Sequence, residues 1–379
     1  MTAGAEGTDI RFMNEALRLA ESGRFRVEPN PVVGAIIVRG ESCIGTGFHA
    51  AYGADHAEVV ALREAGGEAR GATLYVTLEP CAHRGKTPPC VEAVLASGIR
   101  RVVYGANDPN PRTAGRGPEI LRAAGLEVCS GVLAAEAAAL NPGVEVHLRG
   151  DLPWTIAKWA MTLDGKIADV AGGSRSISGA EAHRLVHDVR GAVDAVAVGI
   201  GTVLADDPLL TARGVELRRR ATRVVLDTRL RIPMGGRLVA TAREWSTVVI
   251  AGQQAPPEHE QRLVEAGCRV VRFREEGGRL PLVAVFRRLR SEGMERILLE
   301  GGGEIHAAAF SAGVVRQVMA FVAPVLLGGR TAPTPLQGDG FRRIADPVRL
   351  GWSTFRSVGP DLLVEGYVQH SESGAVAPQ

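Results

Sequence analysis

The sequence sets one short stretch, His56-Ala57-Glu58, against two later cysteines, Cys81 after Pro80 and Cys90 after Pro89. One imidazole and two thiolates make three ligands for Zn2+, leaving a fourth position open for water. Zinc held by His56, Cys81 and Cys90 would lower the pKa of that water toward neutrality, and Glu58 would carry its proton to a departing group. This constrains the fold, because three separate segments must deliver their ends to one point. Residues two apart on a helix do not share a face, so His56 and Glu58 enter a common pocket only from a helix's first turn. A closed structural site would need a fourth ligand, for which His83 is at hand; an acid two residues after His56 has no use in such a site.

Around this stretch the pattern alternates. Ile10, Met13, Leu17 and Ala20 recur at helical spacing up to Gly23, where a C-terminal cap would sit. Ala35 to Val38 and Cys43 to Gly47, separated by Arg39-Gly40-Glu41-Ser42, read as a hairpin, and His56 to Ala65 as a short buried helix. Thr73 to Leu78 is a strand run that delivers Glu79-Pro80-Cys81 to its end. Pro89 to Ala96 is a helix with Cys90 in its first turn, where the positive end of the dipole favours a thiolate. A strand at Arg101 to Tyr104, a helix near Pro118 to Ala124, a strand at Leu126 to Cys129 and a helical stretch at Leu133 to Leu148 complete an α/β half. A chain of 379 residues calls for two domains, and Gly150-Asp151-Leu152-Pro153 is the expected hinge between residues 1–150 and 151–379.

In the second half, Trp154 to Met161 reads as a strand, Ser178 as the N-cap of a helix over Gly179 to Val189, and Ala195 to Gly199 as an interior parallel strand. Strands at Arg223 to Leu226, Thr247 to Ile250, Cys268 to Arg272 and Ile297 to Leu299 alternate with helices at Glu258 to Ala266, Pro281 to Ser291 and Gly303 to Ala312. That is the pattern of an open α/β sheet, closed by Gln317 to Val322 and Leu362 to Val368 as antiparallel strands. Glu300-Gly301-Gly302-Gly303-Glu304 puts glycines between a strand and a helix, where amides can approach a pyrophosphate or simply make a tight turn. The G-x-G-x-x-G fingerprint is incomplete, since His306 holds its last position. Thr202 to Pro208, with Asp206 and Asp207 side by side, reads as a turn.

Longer strings carry a resemblance. Pro29-Asn30-Pro31-Val32-Val33-Gly34, His56-Ala57-Glu58, Thr77-Leu78-Glu79-Pro80-Cys81-Ala82-His83-Arg84-Gly85-Lys86-Thr87-Pro88-Pro89-Cys90, Asn107-Asp108-Pro109-Asn110-Pro111 and Gly115-Arg116-Gly117 resemble the deaminase half of the bifunctional riboflavin-biosynthesis deaminase/reductase family. Leu163-Asp164-Gly165-Lys166, Gly201-Thr202 and Leu209-Leu210-Thr211-Ala212-Arg213 are similar to its reductase half, and the resemblance spans about Phe12 to Val368. It implies a cytidine-deaminase-like three-layer α/β domain with Zn2+, followed by a dihydrofolate-reductase-like α/β domain that uses NADPH. The implied substrate is a diaminopyrimidinone carrying a phosphoribosylamino group, deaminated in the first half; the ribosyl group is then reduced to ribityl in the second.

The same resemblance places substrate contacts of the deaminase at Asn30, His49, His83, Lys86 and Thr87. Nucleotide contacts of the reductase fall on Ala160, Ser176, Thr202, Asp206 and Thr228, and on the turn Gly302, Gly303, Glu304, Ile305, His306, Ala307 and Ala308. Its substrate contacts fall on Ser174, Arg190, Leu210, Arg213 and Glu300, the two arginines suiting a ribose phosphate. Where the family often has Trp-Ile-Thr, this chain has Ser176-Ile177-Ser178, which removes an aromatic wall beside the cofactor.

The 44 basic and 42 acidic side chains nearly cancel, so neither nucleic acid nor an anionic membrane is an expected partner, and Arg218-Arg219-Arg220 reads as a solvated loop or a local phosphate patch. Five scattered cysteines do not make a disulfide framework, the segment Met1 to Asp9 lacks a signal pattern, and no apolar run approaches ~18 residues. A cytoplasmic protein is therefore expected, the resemblance implying small phosphorylated pyrimidines as partners of a homo-oligomer, with a disordered tail from Gln369 to Gln379. Two competing readings are a deaminase of another base or nucleoside with a degenerate reductase half, and a zinc-stabilised binding protein without catalysis.

Overall fold

A computed structural model describes residues 3–84, 87–108, 114–141, 150–170, 177–215, 217–338, 340 and 347–369. Lys86, Ser174, Ser176, most of the expected tail and the end of the helix expected to reach Leu148 lie outside these residues. The chain divides into two compact units, Met1–Gly150 and Asp151–Gln379.

The first unit is a five-stranded sheet with helices on both faces. Helix α1 (Ala3–Glu21) leads into the hairpin β1 (Gly34–Arg39) and β2 (Ser42–Phe48), followed by α2 (Ala57–Ala65), β3 (Thr73–Leu78), α3 (Cys90–Ser97), β4 (Arg101–Ala106), α4 (Arg116–Ala123), β5 (Glu127–Ser130) and α5 (Ala134–Ala139). The strands lie in the order β2-β1-β3-β4-β5; β1 pairs antiparallel with β2 and β3, and β3, β4 and β5 run parallel. Side chains alternate across the sheet. Ile36, Val38, Tyr75 and Val103 pack on Phe12, Met13 and Ala16 of α1, while Ala35, Ile37, Leu74, Val76 and Val102 pack on Ala57, Ala61, Val91, Val94 and Leu121 of the opposite layer. Each fully buried Ile, Leu or Val contributes about 1.5–3 kcal/mol relative to exposure.

One contact fixes the helix that carries the His-x-Glu stretch. A Cβ added to Gly47 of β2 would lie 2.2 Å from the Ala57 carbonyl oxygen and 2.6 Å from the Ala61 nitrogen. With Ala57, Ala61 and Ala65 buried beneath it, α2 rests on β2 at backbone distance. Only glycine on the strand and alanine on the helix permit so close an approach.

The second unit is a nine-stranded sheet. Its elements are β6 (Trp154–Thr162), α6 (Ala180–Arg190), β7 (Ala195–Gly199), α7 (Ile200–Asp206), β8 (Thr222–Leu226), α8 (Arg237–Ala240), β9 (Thr247–Gly252), α9 (Pro257–Glu265), β10 (Arg269–Phe273), α10 (Leu282–Ser291), β11 (Arg296–Glu300), α11 (Gly303–Ser311), β12 (Gln317–Ala323), β13 (Leu350–Val358) and β14 (Asp361–Val368). The order is β10-β9-β8-β7-β11-β6-β12-β14-β13, parallel from β10 to β12 and antiparallel through β14 and β13. The central strands β7 and β11 are buried on both faces, as continuous apolar runs require. After β6 the chain winds outward through β7 to β10 and then returns to place β11 between β7 and β6. The order therefore reverses there, and such a switch point opens a crevice at the carboxyl ends of the strands.

Three local readings change. Helix α6 is capped at Gly179 and not by Ser178; no side chain caps it, and the Gly179 amide donates to Asp361 Oδ2 at 2.7 Å from the start of β14. The Thr202 to Pro208 stretch is mostly helical: α7 continues directly from β7 with Val203 buried, and the chain leaves it at Asp207 with φ +39°. The adjacent carboxylates mark the end of that helix. Strand β13 has no sequence signature, because residues 353–357 are exposed on both faces and show no alternation. No helix among the described residues is long and apolar enough to cross a membrane.

Candidate metal centre and strand-edge cleft

Three segment ends meet in the first unit. Strand β3 runs out into Glu79-Pro80-Cys81, α3 begins at Cys90, and His56 is the N-cap of α2 with extended backbone angles of φ −73° and ψ 159°. His56 Nδ1 lies 3.0 Å from Cys90 Sγ and 3.5 Å from Cys81 Sγ, and the two sulfurs are 3.3 Å apart. Tetrahedral zinc with bonds of about 2.0–2.3 Å separates its donors by about 3.5–3.8 Å, so this triangle needs to open by only about half an ångström. The donor set fits zinc. His83 is exposed and does not join the group, which among the described residues contains His56, Cys81 and Cys90 alone.

The electrostatics of the three groups are coupled. A hydrogen bond from the Cys90 thiol, with further bonds from His56 and the Cys90 amide at 3.3 Å, brings the Cys81 thiol down to about 4. The bond to Cys81 and burial push Cys90 up. Burial disfavours the imidazolium of His56, but Cys81 and Glu58 outweigh it and raise its pKa. Glu58 follows one residue into α2 and is only 3% exposed; burial raises its carboxyl while His56 works the other way.

The walls are ordered by hydrogen bonds. His49 is held at both nitrogens, by the Asp55 carbonyl at 2.9 Å and by Asn30 Nδ2 at 3.2 Å, and its ring stands edge-on to His56 with centroids 5.2 Å apart. Thr87 Oγ1 lies 3.2 Å from His56 Nε2, so it touches the ring that would bind metal and orients it. Sequence reasoning missed Glu79. Its buried carboxylate accepts from the amides of Asp108 at 3.2 Å and Gly115 at 2.7 Å, tying the end of β3 to the residue two past β4 and to the N-cap of α4. The available signal was an acid wedged between an apolar strand and a ligand.

In the second unit, Ala160 lies near the end of β6, Glu300 and Gly302 to Ala308 at and after the end of β11, Thr202 just after β7 and Thr228 just after β8. Arg190 of α6 grips Glu300, the last residue of β11, through two bonds of 2.6 and 2.8 Å, with both side chains nearly buried. Lys158 Nζ of β6 lies 4.0 Å from Glu300. Burial would raise the Glu300 carboxyl, but Arg190 and then Lys158 hold it down at about 2. Lys158 was also missed. Burial lowers its ammonium pKa, opposed by Glu300 and assisted by Arg190.

Thr202 Oγ1 accepts the Gly302 amide at 3.1 Å, joining the first turn of α7 to the glycine turn before α11. Asp206 follows one helical turn after Thr202, and Thr228, past the end of β8, accepts the Gly252 amide at 2.9 Å. A Cβ on Gly303 would meet the Thr334 carbonyl oxygen at 2.3 Å. Ala160, Ile305, Ala307 and Ala308 are half-buried and Glu304 is exposed, but His306 is fully buried, with Nε2 3.3 Å from the Leu299 carbonyl and its ring 5.6 Å from that of Trp159. Only its backbone is available to a nucleotide. Leu210 is buried at φ +56° and Arg213 is exposed.

Two sequence profiles match the chain: the cytidine and deoxycytidylate deaminase zinc-binding region over residues 6–106, and the RibD C-terminal domain over residues 153–364. The riboflavin biosynthesis protein RibD of Actinobacillus pleuropneumoniae is 38% identical over 358 residues, covering 94% of this chain and 95% of that one. The RibD of Escherichia coli strain K12 is 38% identical over 361 residues, covering 93% and 98%. Among solved structures, Acinetobacter baumannii RibD in its form 1 superposes with TM-score 0.72 at 33% identity, covering 96% of this chain and 100% of that chain. A diaminohydroxyphosphoribosylaminopyrimidine deaminase/5-amino-6-(5-phosphoribosylamino)uracil reductase from Thermotoga maritima gives 0.69 at 32% identity, with the same coverage. The chain belongs to the RibD family of riboflavin biosynthesis proteins, a bifunctional deaminase and reductase with a cytidine-deaminase-like first domain and a RibD reductase second domain.

Proposed function

We propose that residues 1–150 deaminate 2,5-diamino-6-(5-phosphoribosylamino)pyrimidin-4-one and that residues 151–379 reduce the ribosyl group of the resulting aminouracil to ribityl. The observation that carries this reading is the convergence of His56, Cys81 and Cys90 with the buried Glu58 beside them and no fourth ligand among the described residues. Zinc, when bound, supplies a Lewis acid that brings the pKa of a water to about 7, and NADPH supplies the hydride.

Glu58 takes the proton from the attacking water and returns it to the leaving amine. Burial raises its carboxyl, which suits a group that must accept and then donate near neutral pH. His49, fixed by Asn30 and the Asp55 carbonyl, presents one rigid edge to the pyrimidine, and Thr87 holds the ligating imidazole. In the second unit the amides at the start of α7 and α11, tied together by Thr202, would hold the cofactor's pyrophosphate. Arg190, neutralised by Glu300, orients the sugar, and Arg213 offers its charge to the ribose phosphate. Hydride delivery to the sugar leaves a proton to be supplied, and Lys158, with its lowered pKa beside Glu300, supplies it.

A cytoplasmic homo-oligomer without a nucleic-acid partner completes the reading. It is supported by a formal net charge of +2, by cysteines that are all free, and by the exposed terminal strand β13, an edge that pairing between copies would cover. The test is to incubate the purified protein with the diaminopyrimidinone phosphate, measuring ammonia, and then to add NADPH and follow loss of nicotinamide absorbance. One ammonia per substrate followed by one NADPH is expected. Ammonia release with no NADPH consumption would sink the second half of the assignment.

A further inference from the structure

The turn Leu163-Asp164-Gly165-Lys166, which follows β6, has no part in the mechanism above. A second segment is fastened to it. Residues 324–337, after β12, run as a strap from this turn to the start of α11. The Leu163 amide donates to the Val325 carbonyl at 2.9 Å. The Asp164 carboxylate then takes two successive amides of the strap, Leu327 on Oδ1 at 3.1 Å and Gly328 on Oδ2 at 2.6 Å. Its Oδ1 also accepts the Thr162 hydroxyl at 2.6 Å. Consecutive amides turned to one point make a concave seat for an anion, and here the chain supplies the anion itself. The bonds from Thr162, Gly328 and Leu327 hold the Asp164 carboxyl down at about 2, so it is charged throughout the working pH range.

The two halves of the strap are secured differently. Residues 324–330 are all exposed, so no buried side chain anchors them and their position rests on hydrogen bonds. Gly328 and Gly329, at φ +68° and +86°, add backbone freedom. The second half is stiffer: Ala332 is buried, Pro333 and Pro335 restrict φ, and the Ile167 amide donates to the Pro333 carbonyl at 2.9 Å. It ends against α11, where the Gln337 amide donates to the Gly303 carbonyl at 3.1 Å and the Thr334 carbonyl oxygen would lie 2.3 Å from a Cβ on Gly303. One carboxylate holds the near end, and the far end lies on Gly303 at backbone distance.

Resting on the reading of the glycine turn before α11 as the seat of NADPH, we propose that Asp164 is a positioning residue for the reductase: by holding the Leu327 and Gly328 amides it fixes the strap, and the strap holds that turn in its binding conformation. Asp164 touches neither cofactor nor substrate and acts through Thr334 and Gln337. Asparagine in its place keeps the shape but has a single acceptor oxygen, so one of the two strap amides loses its partner and the remaining bond loses its charge. The exposed half loosens, and the stiff half carries the displacement to Gly303.

The test compares full-length wild-type and Asp164→Asn proteins by two measurements. In hydrogen–deuterium exchange without cofactor, the variant should exchange faster at Leu327 and Gly328 and also at Gln337, at the far end of the strap, by about tenfold, the factor one charge-assisted hydrogen bond supplies. In fluorescence titration the variant should bind NADPH about tenfold more weakly. Its kcat at saturating NADPH should stay within about twofold, and ammonia release by the first unit should be unchanged. A purely structural role would lower the stability of the second unit without that split between KM and kcat. If Asp164→Asn loses the unfolding transition of the second unit, Asp164→Glu, which moves the charge out of register by one methylene, takes its place with the same expected outcomes. Unchanged NADPH affinity, or faster exchange confined to Leu327 and Gly328, overturns the proposal. Failure of the wild-type protein to bind NADPH would be the separate failure of the reductase reading, on which the exchange measurement does not depend.

Discussion

Replacing Gly47 by alanine would test whether backbone contact between β2 and α2 sets the metal centre. The added Cβ would stand 2.2 Å from the Ala57 carbonyl oxygen, where ordinary contact begins at 3.4 Å, so α2 must retreat by about 1.2 Å. The Ala61 nitrogen at 2.6 Å gives no way around this, since both obstacles are backbone. Overpacking of this kind costs about 1–3 kcal/mol. The retreat falls at the end of the helix that carries His56 and Glu58, and a misplacement of about 1 Å lowers turnover by about 100-fold. The measurements are the urea midpoint of the first unit, zinc content after dialysis against a weak chelator, and the rate of ammonia release. Gly67→Ala is the control, because a Cβ there meets nothing within 4 Å and should change stability by less than about 0.5 kcal/mol. Wild-type zinc retention and turnover in Gly47→Ala would refute the claim that this contact positions the site.

Glu58→Gln should lower ammonia release by about 10²–10⁴-fold, the range of a lost general acid–base group, with zinc by elemental analysis staying near one per chain. Gly303→Ala should weaken NADPH binding measurably by fluorescence titration, because the new methyl group meets the Thr334 carbonyl oxygen at 2.3 Å and displaces the turn before α11. Glu300 has a folded-state pKa of about 2, below its unfolded value near 4.5, so its contribution is present above about pH 4.5 and is lost as pH falls toward 2. Glu300→Gln should remove that acid dependence from the second unit's unfolding curve and destabilise it at pH 7 by about 3–5 kcal/mol, because Arg190 is left buried without a counter-charge.

The two centres were not equally legible. His56, Cys81, Cys90 and Glu58 lie at the ends of three short segments whose helix and strand patterns are local, and the place of His56 at the very start of α2, where it is the N-cap, follows from the spacing of two. The hairpin and β3 were readable for the same reason, as short apolar runs between turn residues. Thr87, placed beside the substrate by the resemblance, also bonds the ring of His56, a contact that spacing cannot express. Arg190 and Glu300 are separated by 110 residues and meet only because the sheet order returns β11 to the side of β6. Lys158 carried no signal at all, since a lysine in an apolar strand is ordinary until its neighbours are known.

Both units nevertheless place their chemistry by the same device. A strand ends, and a helix begins, at the same edge of a sheet: β3 runs to Cys81 while α2 and α3 start at His56 and Cys90, and β7 and β11 run directly into α7 and into the glycine turn before α11. The amino end of a helix carries unpaired amides and a partial positive charge, which favours a thiolate in the first unit and, on the function proposed above, would favour a pyrophosphate in the second. The edge supplies position and the helix supplies sign. What separates the two is the nature of the fixed charge. The first unit concentrates negative ligands for one cation, so its motif is short and chemically loud. The second brings Arg190, Lys158 and Glu300 together from three segments, so their meeting lies in the strand order. Substituting the glycine that packs against each helix start, Gly47 in the first unit and Gly303 in the second, should therefore damage that unit's activity through packing, whereas charge substitution should act through the field.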